Sequence, residues 1–354
     1  MRLLFLNRQL GYASATSYTM DLALSLKEQG DEVRLCTIGG DLSDDFVQRG
    51  IETYRARFNL FAFRKLIEFL RDYNPELVHV QSLASLTFAR RILGRLEKPY
   101  IVTVHRRPGP KAPRLGDKLL CGVIVLNEVI RESLVNDQNL PKSLIRVIRR
   151  GIRLPKRLES PAAEQVERIP VVGSVGRLSR EKGHHCFIRA AAKVLATGLE
   201  AHFAIVGDGP EESRLRALVK KLDLEYHVTF SPHLADRRQL YRLFDIVALP
   251  VLSSGVGVSA LEAMAMGKPL IASAVGEMLH IVQDRQNGLL VPEDNADVLA
   301  QRIVELIRDP GLMATLGKQG RAWVEKNFEL SSMVSATRSY YPEALSRLKE
   351  GIRL

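Results

Sequence analysis

Residues 245–273 read DIVALPVLSSGVGVSALEAMAMGKPLIAS. The opening DIVALPV is a short apolar run, a strand by its length and composition. Small residues follow, with Gly255 and Gly257 two apart, then a helical segment over 258–266 and a second strand in PLIAS. Strand, glycine loop, helix and strand make a βαβ unit, which implies parallel strands and a right-handed crossover.

Working outward, the alternation runs almost from end to end. LLFL, EVRLCTI, LVHV, YIVTVH and GVIVLN read as strands, separated by helical patterns such as SYTMDLALSLKEQG and SLTFARRILGRL. After residue 168 it restarts with VVGSVG, AHFAIVG and HVTF, and HHCFIRAAAKVLATG and PEESRLRALVKKL read as helices between them. The break is 151–168, GIRLPKRLESPAAEQVER, with two prolines, many charges and no strand period. Two doubly wound α/β domains are therefore expected, 1–165 and 166–330, with helices dominating from 294 onward. Ligands of such sheets bind at the carboxyl ends of the strands, so the loops directly after strands carry the chemistry.

Composition narrows the class. The chain has 354 residues, 46% hydrophobic and 26% charged, which is ordinary for a globular protein. No apolar run reaches the roughly 20 residues that span a bilayer. Cys36, Cys121 and Cys186 stand singly, as reduced thiols of a cytoplasmic protein do. The net charge of +11 points to anionic partners. Its densest stretches are HRRPGPKAPRLGDK (105–118) and IRVIRRGIRLPKR (145–157). Nucleic acid is set aside because basic motifs interleaved with aromatics are missing.

Three loops of the second half stand out. GRLSREKG (176–183) places Arg177 and Lys182 five apart on a turn entering a helix, a setting for phosphate; the plain alternative is a solvated loop paired to Glu181. VGDGP (206–210) is a tight turn around Gly207, which could serve structure alone. In the third, Gly255 and Gly257 let a ligand approach backbone at the start of a helix whose Glu262 sits among apolar residues. That carboxylate is either paired within the protein or an acceptor for sugar hydroxyls. The same glycines fit G-x-G-x-x-A, but VLSS separates them from a strand that comes late in its domain, unlike a dinucleotide fingerprint. In the first half, His105 ends a strand and Gly11 follows one, both at ligand-facing positions. No metal-binding spacing is present, so no metal is expected.

These segments resemble one family. GSVGRLSREKG, FAIVGDGPEESRL, the stretch YRLFDIVALPVLSSGVGVSALEAMAMGKPLIAS and NGLLVPED follow one another as in the group-one retaining glycosyltransferases of the GT-B fold. LVHVQS, IVTVH and IRVIRRGI agree more loosely. The resemblance implies two Rossmann-like domains facing a central cleft, with a helix at about 331–354 crossing back to the N-terminal, acceptor-side domain. It implies a nucleoside-diphosphate sugar as donor substrate, no cofactor and no metal. Arg177 and Lys182 would hold the diphosphate and Glu262 the ribose. Gly255, Val256, Gly257 and Val258 would contact sugar and phosphates, the base would lie near His233 and Leu234, and His105 would reach the transferred sugar. Gly11 and Gly207 would line the donor site.

The family usually has a first glutamate separated from the second by seven residues; counted back from Glu262 that position is Ser254, with Val256 in place of an aromatic. Glu277, His280 and Arg150 also depart from the usual residues, and near the N-terminus only Gly11 of the glycine-rich turn remains. The reading is a retaining transferase acting on a glycan, lipid-linked or small-molecule acceptor of the cell envelope. The alternative is a weakened or inactive nucleotide-sugar-binding pseudoenzyme or partner subunit. A cytoplasmic location is expected, with peripheral contact to anionic membrane through the basic first half, where RARFNLFAFRKLIEFLR (55–71) mixes Phe with Arg and Lys. Most of those phenylalanines are expected to pack on the sheet instead.

Overall fold

The computed structural model describes residues 1–11, 14–56, 60–155, 168–232, 237–252 and 257–349. The chain forms two units, Met1–Arg153 with Leu330–Leu354, and Leu154–Glu329. The division thus falls at 153/154, inside the stretch read as the break but ahead of 165/166.

The first unit holds β1 (Arg2–Leu6), β2 (Glu32–Thr37), β3 (Glu52–Arg55), β4 (Leu77–Val80), β5 (Tyr100–Val104), β6 (Leu120–Val125) and β7 (Ile145–Val147). They form one sheet in the order β3-β2-β1-β4-β5-β6-β7, with every pairing parallel. β4, β5 and β6 are buried at every position. Continuous apolar runs are what a sheet covered on both faces requires. The order reverses between β1 and β4, which makes their carboxyl ends the switch point of this unit.

The second unit repeats the plan with β8 (Val171–Val175), β9 (His202–Val206), β10 (Val228–Ser231), β11 (Ile246–Leu249), β12 (Leu270–Ser273) and β13 (Leu289–Val291). The order is β10-β9-β8-β11-β12-β13, again all parallel, with the switch between β8 and β11. Its core includes Phe187, Phe203, Ile205, Ile271 and Leu299, with Phe187 and Phe203 edge-to-face at 5.7 Å. Helix starts follow local chemistry. Asn295 caps Ala296–Arg308 through a bond from Val298 N–H, and Asp309 caps Pro310–Asn327, where proline at the first turn forfeits no bond.

The last helix, Leu330–Lys349, packs on the first unit as expected. The Tyr340 hydroxyl donates to the Leu144 carbonyl at 2.9 Å, and it lies against Gly122 of β6, where a Cβ would come 2.5 Å from the hydroxyl oxygen and 3.0 Å from the ring. Tyr341 pairs with Nδ1 of His79 at 3.0 Å, while Nε2 of His79 meets Thr103 at 2.7 Å. Burial without a countercharge drops the His79 pKa from 6.5 to about 3, so the ring is neutral. Arg338 reaches Asp31, which is almost wholly buried, at 2.7 Å.

Candidate functional site

The loop after β8 is built from the strand outward. Gly176 continues the sheet by donating to the Val206 carbonyl, and Leu178 N–H donates to Asp208 O at 2.9 Å. The turn after β9 therefore lies directly against the turn after β8. A Cβ on Gly207 would stand 2.0 Å from the Gly176 carbonyl oxygen, and one on Gly209 2.3 Å from that of Leu178. The side chains missing at Gly207 and Gly209 make room for the neighbouring loop.

The Gly176 loop then turns back. Arg180–Lys182 forms a single 3₁₀ turn, and Gly183, at φ +68°, starts the helix His184–Leu195. No side chain caps that helix, so its first-turn N–H groups are not spent on a cap. Gly183 also touches the loop after β11: a Cβ there would meet the Pro250 carbonyl oxygen at 1.7 Å. Leu252 N–H donates to the Glu181 carbonyl at 2.9 Å. These two contacts join the loops on either side of the switch point.

On this frame Arg177 is exposed and Lys182 half-buried. The Lys182 stem runs across Gly176, just past the end of β8, its Cδ 3.6 Å from where a Cβ would sit. Glu181 lies within the field of both cations. Its carboxyl titrates below the usual range, first through its own backbone N–H and then through Ser179, Lys182 and Arg177. One carboxylate is thus shared between two cations. Sequence reasoning missed His184, which follows Gly183. It is 2% exposed, its Nδ1 sits 3.3 Å from Ser174 Oγ, and burial lowers its pKa to about 4. The signal available was a histidine at the first position of a helix entering from a glycine.

The next element is the helix Val258–Ala265, entered from Gly257 at φ +60°. The backbone angle calls for glycine there; a Cβ would also fall 2.2 Å from Ile281 Cδ1, a side-chain end that could turn aside. No side chain among the described residues caps this helix either, and Val258 is buried at its first position. Glu262 is half-buried one turn in, and its Oε2 accepts from the Tyr241 hydroxyl at 3.1 Å. That hydroxyl also lies 3.2 Å from the Ser259 carbonyl. Tyr241 is fully buried, so it sets the position of the carboxylate, and nothing in the local sequence around Glu262 pointed to it. His233, Leu234, Ser254, Gly255 and Val256 lie outside the described residues.

In the first unit, His105 stands just past β5. Its Nε2–H donates to the Gln81 carbonyl at 2.8 Å, which fixes the tautomer and leaves a lone pair on Nδ1. Nδ1 is buried without a hydrogen-bond partner among the described residues. The ring meets Tyr18 edge-on at 4.9 Å. Burial holds the His105 pKa down to about 4; the Gln81 bond opposes this and the Arg150 charge adds to it. Arg150, 4% exposed, donates to Ser14 O at 2.7 Å and Ser17 Oγ at 3.0 Å, with Asp21 at 3.8 Å. It therefore ties the end of the sheet to the helix Ser14–Glu28. Among the described residues nothing lies within 4 Å of a Cβ placed on Gly11. Among the described residues no three His, Cys, Asp or Glu side chains cluster as a metal site, and no helix is long and apolar enough to cross a membrane.

The helix within 55–71 spans Leu60–Tyr73. It buries Leu66, Ile67, Leu70 and Tyr73, while Phe63 and Phe69 are half-buried. Phe61 is 69% exposed, with the Lys65 ammonium over its ring at 4.7 Å. Phe58 lies outside the described residues.

Comparison with known proteins supplies the remaining findings. The family model described as "Glycosyl transferases group 1" matches residues 156–323, and the one described as "Glycosyltransferase Family 4" matches residues 15–155. An uncharacterized glycosyltransferase of Methanocaldococcus jannaschii is 24% identical, over 92% of this chain and 93% of its own length. The 2-deoxystreptamine glucosyltransferase of Streptomyces kanamyceticus is 25% identical, over 81% of this chain and 82% of its own. Among solved structures, HepE of Anabaena in complex with UDP-glucose superposes with a TM-score of 0.84 at 20% identity, covering 97% of this chain and 100% of that one. At that identity the likeness carries the fold.

Proposed function

The chain belongs to the group-1 glycosyltransferases, and from that premise we propose a retaining, metal-independent enzyme. It moves a sugar from a nucleoside-diphosphate sugar to a glycan, lipid-linked or small-molecule acceptor of the cell envelope. The observation that carries this reading is the joined loop pair of the second unit. Gly183 against Pro250 and Leu252 against Glu181 hold Arg177 and Lys182 at the switch point, beside two helix starts that no described side chain caps.

In this reading the donor diphosphate lies on Arg177, Lys182 and the first-turn N–H groups of Val258–Ala265, and Glu262, oriented by Tyr241, accepts from the ribose hydroxyls. Negative charge grows on the diphosphate as the sugar departs, and groups already aimed at it stabilise that state without reorganising. The two cations would do the work that a divalent ion does elsewhere. The acceptor hydroxyl attacks from the face the diphosphate leaves, so no side chain need serve as nucleophile. His105, neutral through Nδ1, reaches the sugar as a hydrogen-bond acceptor. Gly11, Gly207, Gly255, Val256, Gly257 and Val258 line the donor, and His233 and Leu234 adjoin the base. Peripheral contact with anionic membrane would use Phe61 and the basic residues of its helix.

The test is release of nucleoside diphosphate from a panel of nucleotide sugars, with and without EDTA, read beside Arg177→Ala. Release that survives EDTA and falls about 10²–10³-fold in the variant supports the reading. The product anomer, read by NMR against the donor anomer, decides retention. Release that needs a divalent ion, or an inverted product, overturns the corresponding part.

A further inference from the structure

Apart from His105, the basic stretch 105–118 is not used by the donor site. It leaves β5 at His105, on the carboxyl side of the first sheet, and all five of its cations, Arg106, Arg107, Lys111, Arg114 and Lys118, are exposed. Its one acidic residue is turned to other work: Asp117 accepts from the buried Tyr100 hydroxyl and from Leu119 N–H. Arg107 meets Asp137 of a neighbouring helix at 3.4 Å. Arg106, Lys111, Arg114 and Lys118 have no ion pair among the described residues.

The segment is also held in place. Ala112 N–H closes a turn onto Gly109 O, Leu115 is buried with its N–H on Gln138 Oε1, and Arg90 donates to the Arg114 carbonyl. Pro108, Pro110 and Pro113 restrict it further. Cations on a tethered, proline-stiffened loop cost little ordering when they close on an anion. Several unneutralised charges on one short loop suit an anion of more than one charge, and arginine grips phosphate oxygens in pairs.

We propose that the loop Arg106–Lys118 is the docking site for a phosphate or diphosphate group carried by the acceptor. The inference rests on the transferase reading above, in which the donor's own phosphates are held by the second unit.

The test measures binding of inorganic pyrophosphate by calorimetry to the full chain carrying Arg177→Ala and Lys182→Ala, which silence the donor loop. Saturable binding is expected there, weakened at least about tenfold by Arg106→Ser, Lys111→Ser and Lys118→Ser together, since each lost charge-assisted bond is worth about that factor. In the chain with an intact donor loop, the same three substitutions should leave UDP affinity within twofold. Pyrophosphate binding that disappears with Arg177 and Lys182, or survives the three substitutions, overturns the proposal. So does loop-dependent binding to phosphatidylglycerol vesicles without binding of free pyrophosphate, which would make the loop a membrane contact. Failure of UDP to bind, with loop-dependent pyrophosphate binding intact, counts against the donor reading and leaves the anion site standing.

Discussion

Replacing Gly183 by alanine tests whether the two switch-point loops are held together by close backbone packing. Two costs separate cleanly. The first is backbone strain: Gly183 sits at φ +68°, in the left-handed region, where an L side chain costs about 1–2 kcal/mol. The second is contact. The new Cβ would lie 1.7 Å from the Pro250 carbonyl oxygen, whereas a carbon normally approaches an oxygen to about 3.3 Å. One loop must therefore move by about 1.6 Å, and because the partner is main chain no rotamer change relieves it. Overpacking of this kind costs about 1–3 kcal/mol, for a total of about 2–5 kcal/mol. Gly198 provides the control, with φ +78° and nothing among the described residues within 4 Å of its Cβ, so Gly198→Ala should show the strain alone, about 1–2 kcal/mol. The only tryptophan, Trp323, belongs to the second unit, and its fluorescence in urea reports that unit's unfolding. Gly183→Ala should also weaken nucleotide binding, and Gly198→Ala should not. Equal destabilisation by the two substitutions would refute the close-packed joint.

Other consequences are as direct. His184 has its pKa depressed from 6.5 to about 4, so its contribution is complete above pH 6.5 and is lost as pH falls toward 4. The loss is about 3 kcal/mol, and a His184→Leu variant should show a flatter urea midpoint between pH 7 and 4.5; parallel curves would contradict the assignment. Glu262→Gln should weaken nucleoside diphosphate binding by about tenfold or more, measured by calorimetry, while Tyr241→Phe, which removes only the orienting hydroxyl, should cost a few-fold. Equal affinities in all three proteins would remove Glu262 from the site. Tyr341→Phe breaks the bond to buried His79 and should destabilise the first unit by about 1–2 kcal/mol, read by chemical denaturation; no change would mean that the last helix is held by apolar packing alone.

The alternation of strand and helix was legible because each buried parallel strand is an uninterrupted apolar run and each helix between them has a polar face. What escaped were edges and short strands. ETYR (52–55) is β3 at one sheet edge, IRV (145–147) is β7 at the other, and LLV (289–291) is β13. β3 and β7 carry charged residues, as less covered edge strands can, so their hydrophobic signal fades; LLV is apolar but only three residues long. IRV was visible only as part of a basic stretch.

At the candidate site, residue types and spacing were enough to single out Arg177, Lys182, Glu262 and His105, because cations and carboxylates after strands are unusual locally. Their supports were not legible. Tyr241 reaches Glu262 across 21 residues, and Gly183 meets Pro250 across a sheet neighbour, which are tertiary facts without a local signature. Gly207 shows the opposite limit. A glycine after a strand suggests a ligand, yet here the side-chain space is filled by the Gly176 carbonyl, so packing alone demands glycine and the proposed donor contact falls to its backbone.

The measurement that bears most directly on the central claim is thermal stabilisation of the chain by UDP, GDP, dTDP and ADP, each with EDTA, beside Arg177→Ala. A ligand that binds the folded state raises the melting temperature by mass action, by about 2.7 kcal/mol of stability at a hundredfold excess over Kd. The account predicts a clear shift with one nucleotide, unchanged by EDTA and lost in the variant. No shift with any of them, or a shift that Arg177→Ala leaves intact, would contradict it.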